Sequence, residues 1–160
     1  MIRPIGRFLV LFVIFTFLPG DVQSLTNFTF TGTLLCPKSF DYNVVLLEKD
    51  QRPNQDDRFN SPRNAGHAMG TSDDFEVFGQ LSGDGIPIFD DGNFEIAILI
   101  THNCNTNVKP YRHFEIYLGS FAIKEFHFIE NIGRIELFNK GEQTKDVIGK
   151  NRPSRRFKRA

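Results

Sequence analysis

Few side chains in this 160-residue sequence are of a kind that does chemistry. Cys36 and Cys104 are its only cysteines. They can pair with each other, stay as free thiols, or serve singly as a nucleophile or metal ligand. His102 stands two positions before Cys104, which would suit two ligands of one ion. No second ligand pair lies nearby, and His67, His113 and His127 are scattered without metal-binding spacing. The acidic pairs Asp56-Asp57, Asp73-Asp74 and Asp90-Asp91 lack the spaced oxygens and glycine bend of a calcium loop, so they read as solvated turn carboxylates. There is no G-x-S-x-G nucleophile turn and no glycine loop to cradle phosphate. No catalytic, cofactor-binding or metal-binding residue is assigned, no cofactor is expected, and the chain reads as a non-enzyme.

Two motifs concern modification instead. Asn27-Phe28-Thr29 is the only N-glycosylation sequon with an allowed middle residue. Arg156-Phe157-Lys158-Arg159, preceded by Arg155, has the R-x-K-R form that secretory proprotein convertases read. The same basic tail, Arg155, Arg156, Lys158 and Arg159, also suits contact with an anionic lipid or polysaccharide surface.

Both motifs gain meaning from the first 24 residues. Arg3 and Arg7 precede an 11-residue, mostly apolar run from Phe8 to Leu18, which Pro19 and Gly20 end. Val22 and Ser24 then occupy the small-residue positions before a cut after Ser24. The run is short against the about 20 apolar residues of a membrane-spanning helix. Residues 1–24 therefore read as a signal peptide, and the mature chain as secreted and extracellular, with no transmembrane segment. That compartment favours a disulfide, which would close a loop of about 68 residues and add roughly 4 kcal/mol by loop entropy.

The mature chain would hold 17 basic and 18 acidic residues, six of the basic ones after residue 149. Residues 25–149 then carry a net charge of −7, which does not invite nucleic acid. The remaining length suits one domain.

The elements that must position these residues are strands. Phe28 to Leu34 alternates with period two, with Phe28, Phe30 and Leu34 inward. Val44 to Leu47 is a short continuous apolar run, and Phe75 to Phe78 a brief strand. Phe94, Ile96, Ile98 and Ile100 share one face of the clearest strand. Phe114 to Leu118, Ile123 to Ile129 and Ile132 to Phe138 are expected to be strands as well. No window carries a helical period. Gln51 to Gly70, with two prolines and only Phe59 and Met69 as large apolar residues, reads as a long mobile loop. The domain is expected over 25–140, and 141–160 as a polar, then basic, disordered tail. About seven or eight strands with turn signals between them indicate an all-β sandwich.

Four segments, in order, carry a resemblance: Thr31-Gly-Thr-Leu-Leu-Cys36, Asn43-Val-Val-Leu-Leu-Glu-Lys-Asp50, Thr101-His-Asn-Cys-Asn105 and Val108-Lys-Pro110. Together they resemble the nematode transthyretin-like family over roughly residues 28–138. The resemblance implies a secreted, transthyretin-like sandwich of Ig-like Greek-key type with Cys36 and Cys104 bridged. It brings no established activity or ligand. Ser72-Asp-Asp-Phe75 lacks the glycine usual in that turn, residues 61–68 look inserted, and Tyr111 stands where some members have another cysteine.

The expected function is extracellular binding at a cell surface or in extracellular fluid, with a protein, a lipid surface or a small apolar molecule as partner. One alternative is a hydrolase related to the 5-hydroxyisourate hydrolases, which share the transthyretin fold. Tyr117-Leu-Gly-Ser120 only mimics their terminal Y-R-G-S, being internal and lacking the arginine. Another alternative is a precursor processed at its basic tail.

Overall fold

The computed structural model describes residues 25–49, 56–59, 64–82, 92–107 and 110–145. The proposed signal peptide, Asp90-Asp91, Val108-Lys109 and the basic tail with Arg155, Arg156, Lys158 and Arg159 lie outside the described residues. Among those described, nine strands form and no helix: β1 (Leu25–Leu35), β2 (Phe40–Glu48), β3 (Asp57–Arg58), β4 (Ala65–Ala68), β5 (Ser72–Ser82), β6 (Asn93–His102), β7 (Tyr111–Ala122), β8 (Phe126–Glu136) and β9 (Glu142–Thr144). No helix there is long and apolar enough to cross a membrane.

Strand pairing makes two sheets. One has the order β5-β1-β8, with β1 antiparallel to β5 and parallel to β8. The other has the order β3-β2-β6-β7-β9 and is antiparallel throughout, with β4 also on β2. The alternation in β1 drives Phe28, Phe30 and Leu34 inward, and each is fully buried. From the other sheet come Val44 and Leu46 of β2 and Phe94, Ile96, Ile98 and Ile100 of β6, all in the same core. This is a sandwich-like, two-layer all-β fold. Phe28 is its hub, with five rings within 6.3 Å of its centroid: Phe30, Phe59, Phe94, Phe121 and Phe128. Such aromatic pairs add about 0.5–1.5 kcal/mol each beyond the area they bury. Val45, Leu47, Ala97 and Leu99 form a second buried cluster on the opposite face of β2 and β6. The continuous apolar run Val44 to Leu47 is thus buried on both faces, as its pattern predicts.

Three expectations about elements change. The stretch expected as a mobile loop contributes β3 and β4, which extend the edge of β2. Phe59 fixes it to the core: its ring occupies the space where a Cβ on Gly79 would stand, 2.6 Å from the ring. Lys49 adds ion pairs to Asp56 at 2.7 Å and to Glu115 at 2.9 Å, and its pKa is raised, first by Asp56. Residues 51–55 and 60–63 of that stretch lie outside the described residues.

The two runs expected after residue 123 are one strand, β8. Its register against β1 shifts between the pairs Thr31–Asn131 and Thr33–Arg134. Gly133 takes φ +78° there, and its N–H donates to Asn131 Oδ1 at 2.8 Å. The bulge exchanges the inward face from Phe128 to Ile135, which masks a single period-two pattern in the sequence. Finally, β9 pairs with β7 beyond the expected domain end at residue 140, so the sheet continues to Thr144.

Candidate functional site

Cys36 follows the last residue of β1 and Cys104 lies two residues past β6, so the cysteines belong to strands of different sheets. Both strands end at the same end of the sandwich. The sulfurs are at bonding distance, the Cα atoms are 6.0 Å apart, and both residues are buried. No described cysteine is free. Backbone bonds fix the surroundings: Cys36 N–H donates to Thr71 O at 2.9 Å, and Asn139 N–H to Cys104 O at 3.0 Å. Asn139 holds φ +58°, which closes the turn after β8 and delivers that N–H.

The polar residues around Cys104 are spent on one another. Asn103 Nδ2 donates to Asp41 Oδ2 at 2.8 Å. In return, Asn103 Oδ1 accepts the Asp41 N–H at 2.8 Å. The Asn103 N–H completes the set by donating to Asp41 O at 3.2 Å. The other Asp41 oxygen meets His67 Nδ1 at 2.6 Å. Lys38 Nζ donates to the Asn105 carbonyl. Asn105 Nδ2 donates to Pro110 O at 2.7 Å, while its Oδ1 is buried without a partner among the described residues.

His102 is fully buried, and its Nδ1 accepts the Cys104 N–H at 3.2 Å, so the neutral ring carries its proton on Nε2. Burial pushes its pKa down to about 4, and Arg112 and His113 push the same way. The Lys140 backbone is near enough to pull upward, yet among the described residues Nε2 reaches no partner in hydrogen-bond geometry. This histidine stays neutral and shut off from solvent at physiological pH.

Beside this polar knot lies a cavity of about 280 Å³, lined by Asn105, Thr106, Pro110, Arg112, Asn139 and Gln143 among others. Arg112 Nη1 is held by Gly141 O at 2.6 Å, and Asn139 Oδ1 accepts the Thr106 N–H at 3.0 Å. A second cavity of about 260 Å³ is lined by Leu35, Cys36, Pro37, Thr71, Glu136 and Phe138. Amides, one hydroxyl and one guanidinium equip the first for hydrogen bonding to a polar surface. No group of three His, Cys, Asp or Glu side chains converges as a metal-binding set among the described residues.

The sequence-predicted residues are thus dispersed. The cysteines meet. His102 joins them as a buried acceptor, and His113 pairs in register with Thr101 on β7. Tyr117-Leu-Gly-Ser120 lies inside β7, at a register shift against β6. Asn27 is in the middle strand of the other sheet, nine positions and about 30 Å of extended chain from Cys36. Sequence reasoning missed Asp41, Lys38 and Asn139. The only local signal is residue type, since Asp and Asn favour turns. No protein-family model matches the chain, and comparison with curated proteins finds no match either.

Proposed function

We propose that the protein is a secreted, extracellular interaction module of the nematode transthyretin-like type, with no catalytic role. One observation carries this reading. The segment Thr101 to Asn105, part of the ordered set that suggested the family, is buried and engaged around a cysteine pair in the arrangement the resemblance implies. Such a cysteine pair suits an oxidising compartment and would be unusual in the cytosol. The burial of His102 counts against the hydrolase alternative, since a general acid or base must reach its substrate. The partner best suited to the amide-lined and guanidinium-lined cavity is an extracellular protein rather than a lipid surface or a small apolar molecule.

The test is expression with the native leader in a eukaryotic host. The expected product is secreted, begins at Leu25 and has no titratable thiol. Its intact mass also shows whether residues after Lys150 survive, which decides the processed-precursor alternative. The secreted protein is then used as bait against extracellular-fluid proteins. Micromolar or tighter capture that Arg112→Ala weakens at least tenfold supports the reading. Retention inside the cell, or turnover of 5-hydroxyisourate that His102→Asn or His113→Asn abolishes, overturns it.

A further inference from the structure

The outer face of the β5-β1-β8 sheet carries an exposed apolar row next to the sequon. On β1 the even-numbered residues from Thr26 to Leu34 point inward, which leaves Asn27 and Thr29 on the outside. Strand register sets two rows across this face. Gln80, Asn27 and His127 form one. Phe78, Thr29 and Ile129 form the next, about 7 Å along the strands. Phe78 is 39% exposed and Ile129 68%, and Leu25, 42% exposed, lies on the same face at the other side of Asn27. No described element packs over these rows. Apolar groups gathered on one outer face call for a cover or a partner.

Asn27 itself is oriented to supply the cover. Its Oδ1 accepts from Gln80 Nε2 at 2.6 Å, while its Nδ2 makes no hydrogen bond among the described residues. A linked sugar replaces one hydrogen on Nδ2 and leaves Oδ1 free to keep the Gln80 bond. The sequon hydroxyl, Thr29 Oγ1, is 2.8 Å from His127 Nε2, whose ring stands edge-on to Phe78 at 6.1 Å. In the finished sheet that hydroxyl is engaged, so modification has to precede strand pairing.

We infer that Asn27 carries an N-linked glycan and that this glycan, rather than a partner protein, covers the Phe78–Ile129 row. The inference rests on the secretory reading above. The donor is a lipid-linked oligosaccharyl pyrophosphate. Asn27 Nδ2 forms a bond to the sugar C1, the C1–O bond to pyrophosphate breaks, one amide proton passes to base, and the lipid pyrophosphate leaves. The acceptor is the extended, unfolded segment. On folding, the β1 pleat places the glycan on the outer face, one row from Phe78 and Ile129. The core on the inner face is untouched, because Phe28 in the middle of the sequon points the opposite way.

The experiment uses the secreted full-length product. Peptide N-glycosidase should lower its mass by one glycan. Thr29→Ser should keep that glycan, and Thr29→Ala should lose it. Enzymatic removal from the folded wild-type protein should raise binding of an apolar fluorescent dye several-fold. The same removal from Phe78→Thr/Ile129→Thr should raise it little. A secreted protein without a glycan at Asn27 overturns this inference and leaves the interaction-module reading intact. So does a glycosylated protein whose dye binding is unchanged on removal, or one already dimeric through Phe78 and Ile129. Failure of secretion overturns both.

Discussion

The region around Phe28 and the region around Cys104 hold the same sandwich by different physics. At Phe28, five neighbouring rings and the β-branched residues of β6 remove apolar area from water. That attraction has little directionality and scales with area. Cys36 and Cys104 belong to the same apolar cluster, but around Cys104 other forces are added to burial. Stability comes from a covalent link and from hydrogen bonds whose donors and acceptors have to match in place. The first region tolerates a change of shape and is indifferent to pH and redox state. The second tolerates neither the loss of one partner nor a change of proton or thiol state.

Substitutions should separate the two. The largest effect is expected at the aromatic hub: Phe28→Ala should cost about 3–5 kcal/mol, measured as the shift in urea-unfolding midpoint, because it opens a cavity where neighbours cannot collapse fully. Phe28→Leu should cost clearly less. A cost as large for Leu as for Ala would show that ring geometry, not area, governs this region.

Next comes the cysteine pair. Cys36→Ala with Cys104→Ala should cost about 2–4 kcal/mol, through the unfolded-state loop entropy that the link removes. Reductant should shift the wild-type midpoint by a similar amount and leave the double variant unmoved. A wild type insensitive to reductant would remove the covalent half of the comparison.

The third effect depends on pH. His102 takes up its proton near 6.5 when unfolded but only near 4 when folded. Between those values the unfolded chain binds more protons, so stability falls as pH drops from 6.5 to 4 and this contribution is flat on either side. The full swing is on the order of 3 kcal/mol from a shift of this size. His102→Asn, which keeps an acceptor for the Cys104 N–H, should flatten the profile in that window. A profile unchanged by the substitution would show that His102 is not held neutral.

The smallest expected effect is Asn103→Ala, at about 0.5–1.5 kcal/mol, because it removes the hydrogen bonds that its amide shares with the Asp41 carboxylate and N–H, and the half-buried carboxylate can turn to water instead. Combined with the cysteine double variant, its cost should shrink, since both act on the same end of β6.

How much of this was legible varies by element. The inward face of β6 could be read directly, because Phe94, Ile96, Ile98 and Ile100 alternate without interruption. The full extent of β8 could not, because the bulge at Gly133 reverses which parity faces in. β3 and β4 carry no periodic signal at all. They exist because the edge of β2 offers unpaired backbone groups and Phe59 finds room over Gly79. At the candidate site, Cys36, His102, Asn103 and Cys104 were visible as residue types, yet nothing local identified Asp41, Lys38 or Asn139 as their partners.

The sequence by itself determined the all-β class and the inward residues of the long strands, because a period of two is written within a few adjacent positions. It also limited any disulfide within the chain to one pairing, since there are only two cysteines. The tertiary structure alone decided what surrounds them. The bonds that bind Asp41 to Asn103 join residues 62 apart in the chain, and His102 loses its charge because the folded chain buries it and brings Arg112 and His113 near it. Burial and long-range hydrogen bonding depend on where the whole chain has gone, and no short stretch of sequence contains that.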